Sequence, residues 1–268
     1  VSTIDISLPG LVAVYAMLAL TAVVIVAFRL GLLKEGAISI VRMTAQLALV
    51  GLYLGFLFDL NHPALNFAWV VVMIVVATTN VVRSAGLRLR AMFLPALAGV
   101  AVSTLFVLAV MIVGAVRPEP VYDARYLIPI AGMLLGNCMR GNIIALERFY
   151  VGTRADERAY RTSIFMGATV LEATRPQMRL ALRAAIGPTI ATMATMGIVS
   201  LPGMMTGQIL GGSDPLVAIK YQLAIMVAIL VTVSLGAYLN VRLSISAAFD
   251  EYQMLDRSIF RPGRKNGP

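Results

Sequence analysis

Residues 167–212 read GATVLEATRPQMRLALRAAIGPTIATMATMGIVSLPGMMTGQILGG, and the fold is read outward from them. The first half is cationic and amphipathic, with Arg175, Arg179 and Arg183 set among Leu180, Ala181, Leu182 and Ala184. The second half is apolar and interrupted by Gly197, Pro202, Gly203 and Gly207. One segment therefore passes from a charged aqueous surface into a bilayer and carries a weak point at membrane depth. That is the physical form of a lever: a push outside the membrane and a joint that yields within it.

The rest of the chain has the composition this reading needs. Of 268 residues, 59% are hydrophobic and only 13% are charged, about half the charged share of a soluble domain. The apolar residues fall in runs of about 20, enough for a helix to cross ~30 Å of hydrocarbon. The short alternating segments of a membrane β-barrel are absent. The expected fold is all-α and polytopic, a single transmembrane domain over residues 1–268. About seven spans are drawn, near Leu8–Phe28, Ile38–Phe58, Leu65–Val82, Met92–Val116, Tyr126–Leu146, Ile186–Leu210 and Val217–Val241. Leu11–Phe28 lacks the positive leader of a secretory signal and is read as a retained first span.

The net charge of +9 is distributed by loop. One side carries Arg29 and Lys34, then Arg83, Arg88 and Arg90, then seven arginines from Arg148 to Arg183, then the tail with Arg242, Arg257, Arg261, Arg264 and Lys265. The other side carries Arg117 and Arg125 beside Asp59, Glu119, Asp123 and Asp214. By the positive-inside rule the N-terminus is outside and the C-terminus cytoplasmic. Charges placed this way orient a protein in lipid and do not form the aromatic-interleaved patch of a nucleic-acid surface.

Three basic residues fall within span limits. Arg42 and Lys220 lie near span ends, where snorkelling accounts for them. Arg140 lies roughly 20 Å from the outer start of its span at 1.5 Å per residue, within GNCMRGN beside Asn137 and Asn142. Two readings stand for it, a polar cavity or network and snorkelling. The GLYLG and GMLLG pairs, Gly51–Gly55 and Gly132–Gly136, read as ordinary bundle packing.

Residues 147–185 form the one long aqueous segment, a cytoplasmic insertion between spans five and six. ERFYVGTRADERAYRTSIF reads as helix with Tyr160, Ile164 and Phe165 on an apolar side. Gly167 breaks it and Pro176 marks a second bend, giving helix, short exposed helix, helix. A basic helix lying on anionic lipid is the alternative. After Asn240, SISAAFDEYQMLDRSIF reads as an extension of the last helix and RPGRKNGP as a flexible end.

The chemistry missing from the chain narrows its role. The three lysines, Lys34, Lys220 and Lys265, are outside any phosphate-binding loop, so ATP is not hydrolysed by a Walker-type site here. No acidic residue lies mid-span, His62 is the single histidine and Cys138 the single cysteine. Metalloenzyme and disulfide chemistry are excluded within one chain. The 15 methionines, with Met193, Met196, Met204 and Met205 together, are read as adaptable packing or a pathway wall before a soft-metal site. Pro202 and Gly203 would free a carbonyl near Ile198 or Val199, which Gln208 could satisfy; a kink that merely fits the bundle is the alternative.

GIVSLPGMMTGQILGGSDPLVAIKYQ, with MGATVLEATRPQMRLALRAAIGP and RYLIPIAGMLLGNCMRGN before it, resembles the FetB (YbbM-like) family of ABC-transporter permeases. The resemblance implies a non-catalytic permease in the bacterial inner membrane. It would work as a homodimer with a separate FetA-type ATPase that binds the ATP and Mg, no cofactor belonging to this chain. It implies export of iron, another metal or a small solute. It assigns coupling to the ATPase to Gly167, Ala168, Thr169, Glu172, Ala173 and Arg175, and makes the Pro202–Gly203 break with Met204, Met205 and Gln208 a pathway element; the residues add Asn137 and Arg140. Metal ligands are not implied. The residues alone leave open a secondary transporter or channel, or a membrane stress-response adaptor without ATP coupling.

Overall fold

The computed structural model describes residues 5–261. Arg264, Lys265 and the end of RPGRKNGP lie outside the described residues. Among the described residues the α-helical stretches are α1 Leu8–Ala27, α2 Leu33–Leu60, α3 Pro63–Ser84, α4 Leu89–Val116, α5 Ala124–Ala155, α6 Glu157–Phe165, α7 Val170–Thr195, α8 Gly203–Leu210 and α9 Pro215–Ala248. Helices α1 to α5 and α9 are long and apolar enough to cross a membrane. The protein is an all-α polytopic membrane protein.

The core lies where α3, α4, α5, α7 and α9 meet, around Val81, Met92, Val100, Leu134, Leu146, Phe149, Ile225 and Val241. Close approach is set by glycine. A Cβ on Gly99 would lie 2.7 Å from Asn240 Nδ2, and one on Gly141 would lie 2.7 Å from Val233 Cγ1. On Gly236 it would lie 2.8 Å from Cys138 Sγ and 3.0 Å from Ser103 Oγ. A small polar network fills the remaining space: Asn142 Nδ2 donates to Cys138 Sγ at 3.0 Å and Asn240 Nδ2 to the Gly236 carbonyl at 3.0 Å. Of the pairs singled out in the sequence, Gly132 does approach a neighbour, a Cβ there lying 3.4 Å from Met73 Cε, whereas a Cβ on Gly51, Gly55 or Gly136 would meet nothing within 4 Å. Helices α1 and α2 stand largely clear of the core, joined to it through Leu57, which packs with Ala124 and Ile128.

Three further expectations are corrected. Ile186–Leu210 is not one continuous helix: α7 ends at Thr195, residues 196–202 leave the helix, and α8 is a separate eight-residue piece. Residues 167–175 are not a helix of their own either, because α7 runs without interruption through Pro176 and Pro188. Each proline costs one helical hydrogen bond, while Thr174, Ala181 and Ala185 are buried in the packing of this helix, which offsets the loss. The last helix stops at Ala248. Residues beyond it fold back, Phe249 bridging to Leu255 and Phe260 to Leu87. The Arg88 amide donates to the Ile259 carbonyl at 2.7 Å, which ties this return to the turn between α3 and α4.

Candidate functional site

Two places carry the singled-out residues, and α7 joins them. At the arginine-rich end, α6 and α7 form a hairpin whose turn is made possible by Gly167 at φ 92°, a region that L side chains avoid. Thr169 then caps α7. Its Oγ1 accepts from the Glu172 amide at 3.4 Å, and the Glu172 carboxylate accepts from the Thr169 amide at 2.9 Å. This reciprocal arrangement satisfies two donors that a helix start leaves open. The backbone hydrogen bond from Thr169 holds the Glu172 carboxyl below its ordinary range, and its hydroxyl adds to the effect. Glu172 is thus engaged locally while its side chain stays exposed, beside exposed Arg175 and half-buried Ala168 and Ala173.

The tip of the hairpin presents a feature that the sequence reading placed elsewhere. Tyr160 is buried against Phe249, with ring centroids 5.4 Å apart, and its hydroxyl donates to the Gln253 carbonyl. Phe165 does not join it; Phe165 is 80% exposed and Met166 is 83% exposed, immediately before Gly167. The hairpin beneath them is fixed. Arg257 donates to Glu157 at 2.9 Å, Arg161 pairs with the same carboxylate, and Gln177 donates to Asp156. The hydrogen bond from Arg257, with the nearby charges of Arg161 and Arg257, holds the Glu157 carboxyl below its ordinary range despite an opposing cost of desolvation.

At its other end α7 stops at Thr195, and Gly197 turns the chain at φ 86°. Ile198 is 91% exposed in this break. Pro202, extended, precedes the first residue of α8, and Thr206 Oγ1 donates back to its carbonyl at 3.1 Å. The joint is therefore a gap between two helices and not a bend within one. Among the described residues no hydrogen bond runs from the Gln208 side-chain amide to a carbonyl there, and its Oε1 is buried without a partner.

Beside the break is a cavity of about 490 Å³ lined from α5, α7, α8 and α9. Of the expected pathway residues, Asn137, Arg140, Pro202, Gly203 and Met204 line it together. Arg140 Nη2 donates to Asn137 Oδ1 at 2.9 Å, and Asn137 Nδ2 donates to the Met133 carbonyl at 2.8 Å, so Asn137 orients the guanidinium. Met205 lies on a second cavity of about 350 Å³ with Met193, Met196 and Leu201, and Gln208 lines neither. Gln222 lines both cavities and was not singled out in the sequence. Its one visible signal is a polar amide within the apolar run of α9. No group of three His, Cys, Asp or Glu side chains able to hold a metal occurs among the described residues.

Fold and site together define the class: a polytopic helical membrane protein with a largely apolar cavity that holds Asn137, Arg140 and Gln222 among its helices, beside a break. The chain belongs to the family described as "Uncharacterised protein family (UPF0014)", whose model matches residues 8–249. It is 33% identical over 214 residues to "UPF0014 membrane protein slr1647" of Synechocystis, covering 80% of this chain and 83% of that protein. It is 32% identical over 209 residues to "Probable iron export permease protein FetB" of Escherichia coli, covering 78% and 79%. It is 30% identical over 276 residues to "UPF0014 membrane protein STAR2" of Oryza sativa, covering 97% and 94%. No solved structure matches the chain.

Proposed function

We propose that this chain is the membrane-spanning subunit of an ABC transporter, a non-catalytic permease that moves a small solute with ATP hydrolysed by a separate FetA-type ATPase. The arginine-rich end faces the cytoplasm of a bacterial inner membrane, and two copies of the permease work with two ATPases. The ATPase supplies the bound ATP and Mg. Iron or another metal is the proposed cargo class, in the direction of export, because the FetB relative is named for iron export.

One observation carries the reading: α7 is a continuous rod of 26 residues, about 39 Å long at 1.5 Å per residue. It begins at the exposed Phe165–Gly167 turn and ends at the break beside the cavity. A displacement imposed at the turn has an unbroken helix along which to reach the break. Phe165 and Met166 supply the apolar knob that an ATPase groove would take, and Arg175 with Glu172 the polar rim. An exposed aromatic in a rigid turn is the kind of anchor that dominates interface energetics.

The experiment is co-purification of the tagged chain from its native membrane, followed by ATPase assay of the complex. An ATPase should be retained by the wild type and lost by Phe165→Asp with Met166→Asp, while the permease stays folded and membrane-inserted. Solute transport by the purified chain alone, without nucleotide, would instead support a secondary transporter or channel.

A further inference from the structure

The charge in the cavity beside the break is of one sign only. Its charged lining residue is Arg140, and no carboxylate lines it. The acidic residues on the elements that form it lie outside the lining: Asp123 and Glu147 on the α5 segment, Glu172 in the first turn of α7, and Asp214 before α9. Both ion pairs found among the described residues involve Glu157, far along the chain from Arg140. Arg140 thus stands halfway along the 32-residue α5 with its charge uncompensated. A guanidinium has five N–H donors, and one of them is used on Asn137. Arg140 is exposed where it lines the cavity, and a cation between apolar spans is costly unless water or a counter-charge meets it.

Lining the same cavity from α9, Gln222 is 7% exposed; its Oε1 has no partner, and its Nε2 reaches only the Met196 sulfur at 3.9 Å. In either amide orientation it has bonding capacity left over at the cavity wall. Thr189 and Thr192 add hydroxyls from α7, and Met133, Met204 and Met226 supply the apolar remainder. The set matches a small organic anion: a guanidinium for a planar oxyanion, an amide and hydroxyls for its other polar atoms, and thioethers for its carbon skeleton. It opposes a bare metal ion, since a free cation would meet Arg140 with no carboxylate to offset the repulsion.

We infer that this cavity is a binding site for a solute bearing a carboxylate- or phosphate-type oxyanion, with Arg140 as its anchor, so that a metal passes only inside an anionic chelate. The inference rests on the transport reading for its biological role, but the binding itself needs neither nucleotide nor ATPase.

The test uses the full chain in nanodiscs and equilibrium dialysis with labelled citrate, ferric citrate, inorganic phosphate and free Mn²⁺. At least one of the three anions should bind, and Arg140→Gln should weaken it by at least about tenfold, the loss expected for a charge-assisted hydrogen bond. Arg140→Lys, which keeps the charge without the fork, should fall between. Mn²⁺ should bind no better than to empty nanodiscs. A preference for ferric citrate over citrate would identify the loaded chelate as the form taken; the reverse would identify the organic acid. Should Arg140→Gln not fold, phenylglyoxal modification of the wild type read by mass spectrometry replaces it, and the bound anion should protect Arg140. The inference is overturned if no anion binds, if anions bind Arg140→Gln as well as wild type, if saturating anion leaves Arg140 unprotected, or if Mn²⁺ alone is held. Such a result would leave ATPase co-purification untouched, and loss of co-purification would leave anion binding untouched.

Discussion

Glycine does opposite work in two regions of this molecule. In the core, Gly99, Gly141 and Gly236 sit where a Cβ would come within 2.8 Å of a neighbouring side chain, so they let α4, α5 and α9 lock together. Along the break, a Cβ on Gly197, Gly203, Gly207 or Gly212 would meet nothing within 4 Å, and Gly197 and Gly212 hold φ values of 86° and 91°. The same residue type marks rigidity where space is absent and freedom where space is plentiful. The protein is thus a fixed frame beside a jointed element, and α7 belongs to both: its middle is buried through Ala181 and Ala185, and its end, where Met193 is only partly buried, leads into the break.

The contrast is sharpest under substitution. The largest effect should come from Gly236→Leu, which drives a side chain into Cys138, Ser103 and Asn142. Overpacking of this kind costs about 1–3 kcal/mol and often more for a bulky insertion, so thermal unfolding in detergent should show a large drop. Pro202→Ala with Gly203→Ala should leave that unfolding temperature nearly unchanged and reduce ATP-driven transport several-fold, because it favours helix across the joint. If the double variant unfolds early while transport per folded molecule is normal, the break belongs to the frame.

A smaller effect is expected at the turn. Glu172→Arg removes one half of the reciprocal cap, leaving the Thr169 amide without its carboxylate acceptor, and reverses the charge beside Arg175. Coupling, read as transport per ATP, should fall more than stability does. The smallest effect is the pH dependence of the same cap. The folded-state pKa of Glu172 is lowered, so its contribution is present above the unfolded carboxyl value and is lost as pH falls through the folded one. Amide exchange in the first turn of α7, corrected for intrinsic rates, should lose protection as acid is added below the ordinary carboxylate range, with the core unaffected. Protection that rises on acidification would contradict the cap.

The long helices were legible in the sequence because apolar runs and loop charge are properties of composition, and both survive without tertiary detail. The break was legible too, through the Gly/Pro spacing of residues 197–203. What the sequence concealed was continuity. Pro176 read as a bend, but burial of Thr174, Ala181 and Ala185 holds α7 together, a tertiary override of local preference. Phe165 was assigned to the packed side with Ile164, yet successive residues differ by about 100° around a helix, enough to turn it outward. Gln222 carries no spacing signal at all; only the helices converging on it make a lone amide part of a site. Asn137 and Arg140 were visible as a polar cluster, and their joining to Pro202 and Gly203 required the fold.

The central claim is that movement of the exposed turn is felt at the joint. The most direct measurement labels a cysteine placed at Gly203, which lines the cavity with open space around it, in a Cys138→Ser background that removes the single native cysteine. In the complex with its ATPase, the rate of reaction with a hydrophilic maleimide should change several-fold between nucleotide-free and vanadate-trapped states. The change should vanish when Phe165→Asp is added. Equal rates in both states, in a complex that hydrolyses ATP, would contradict the account.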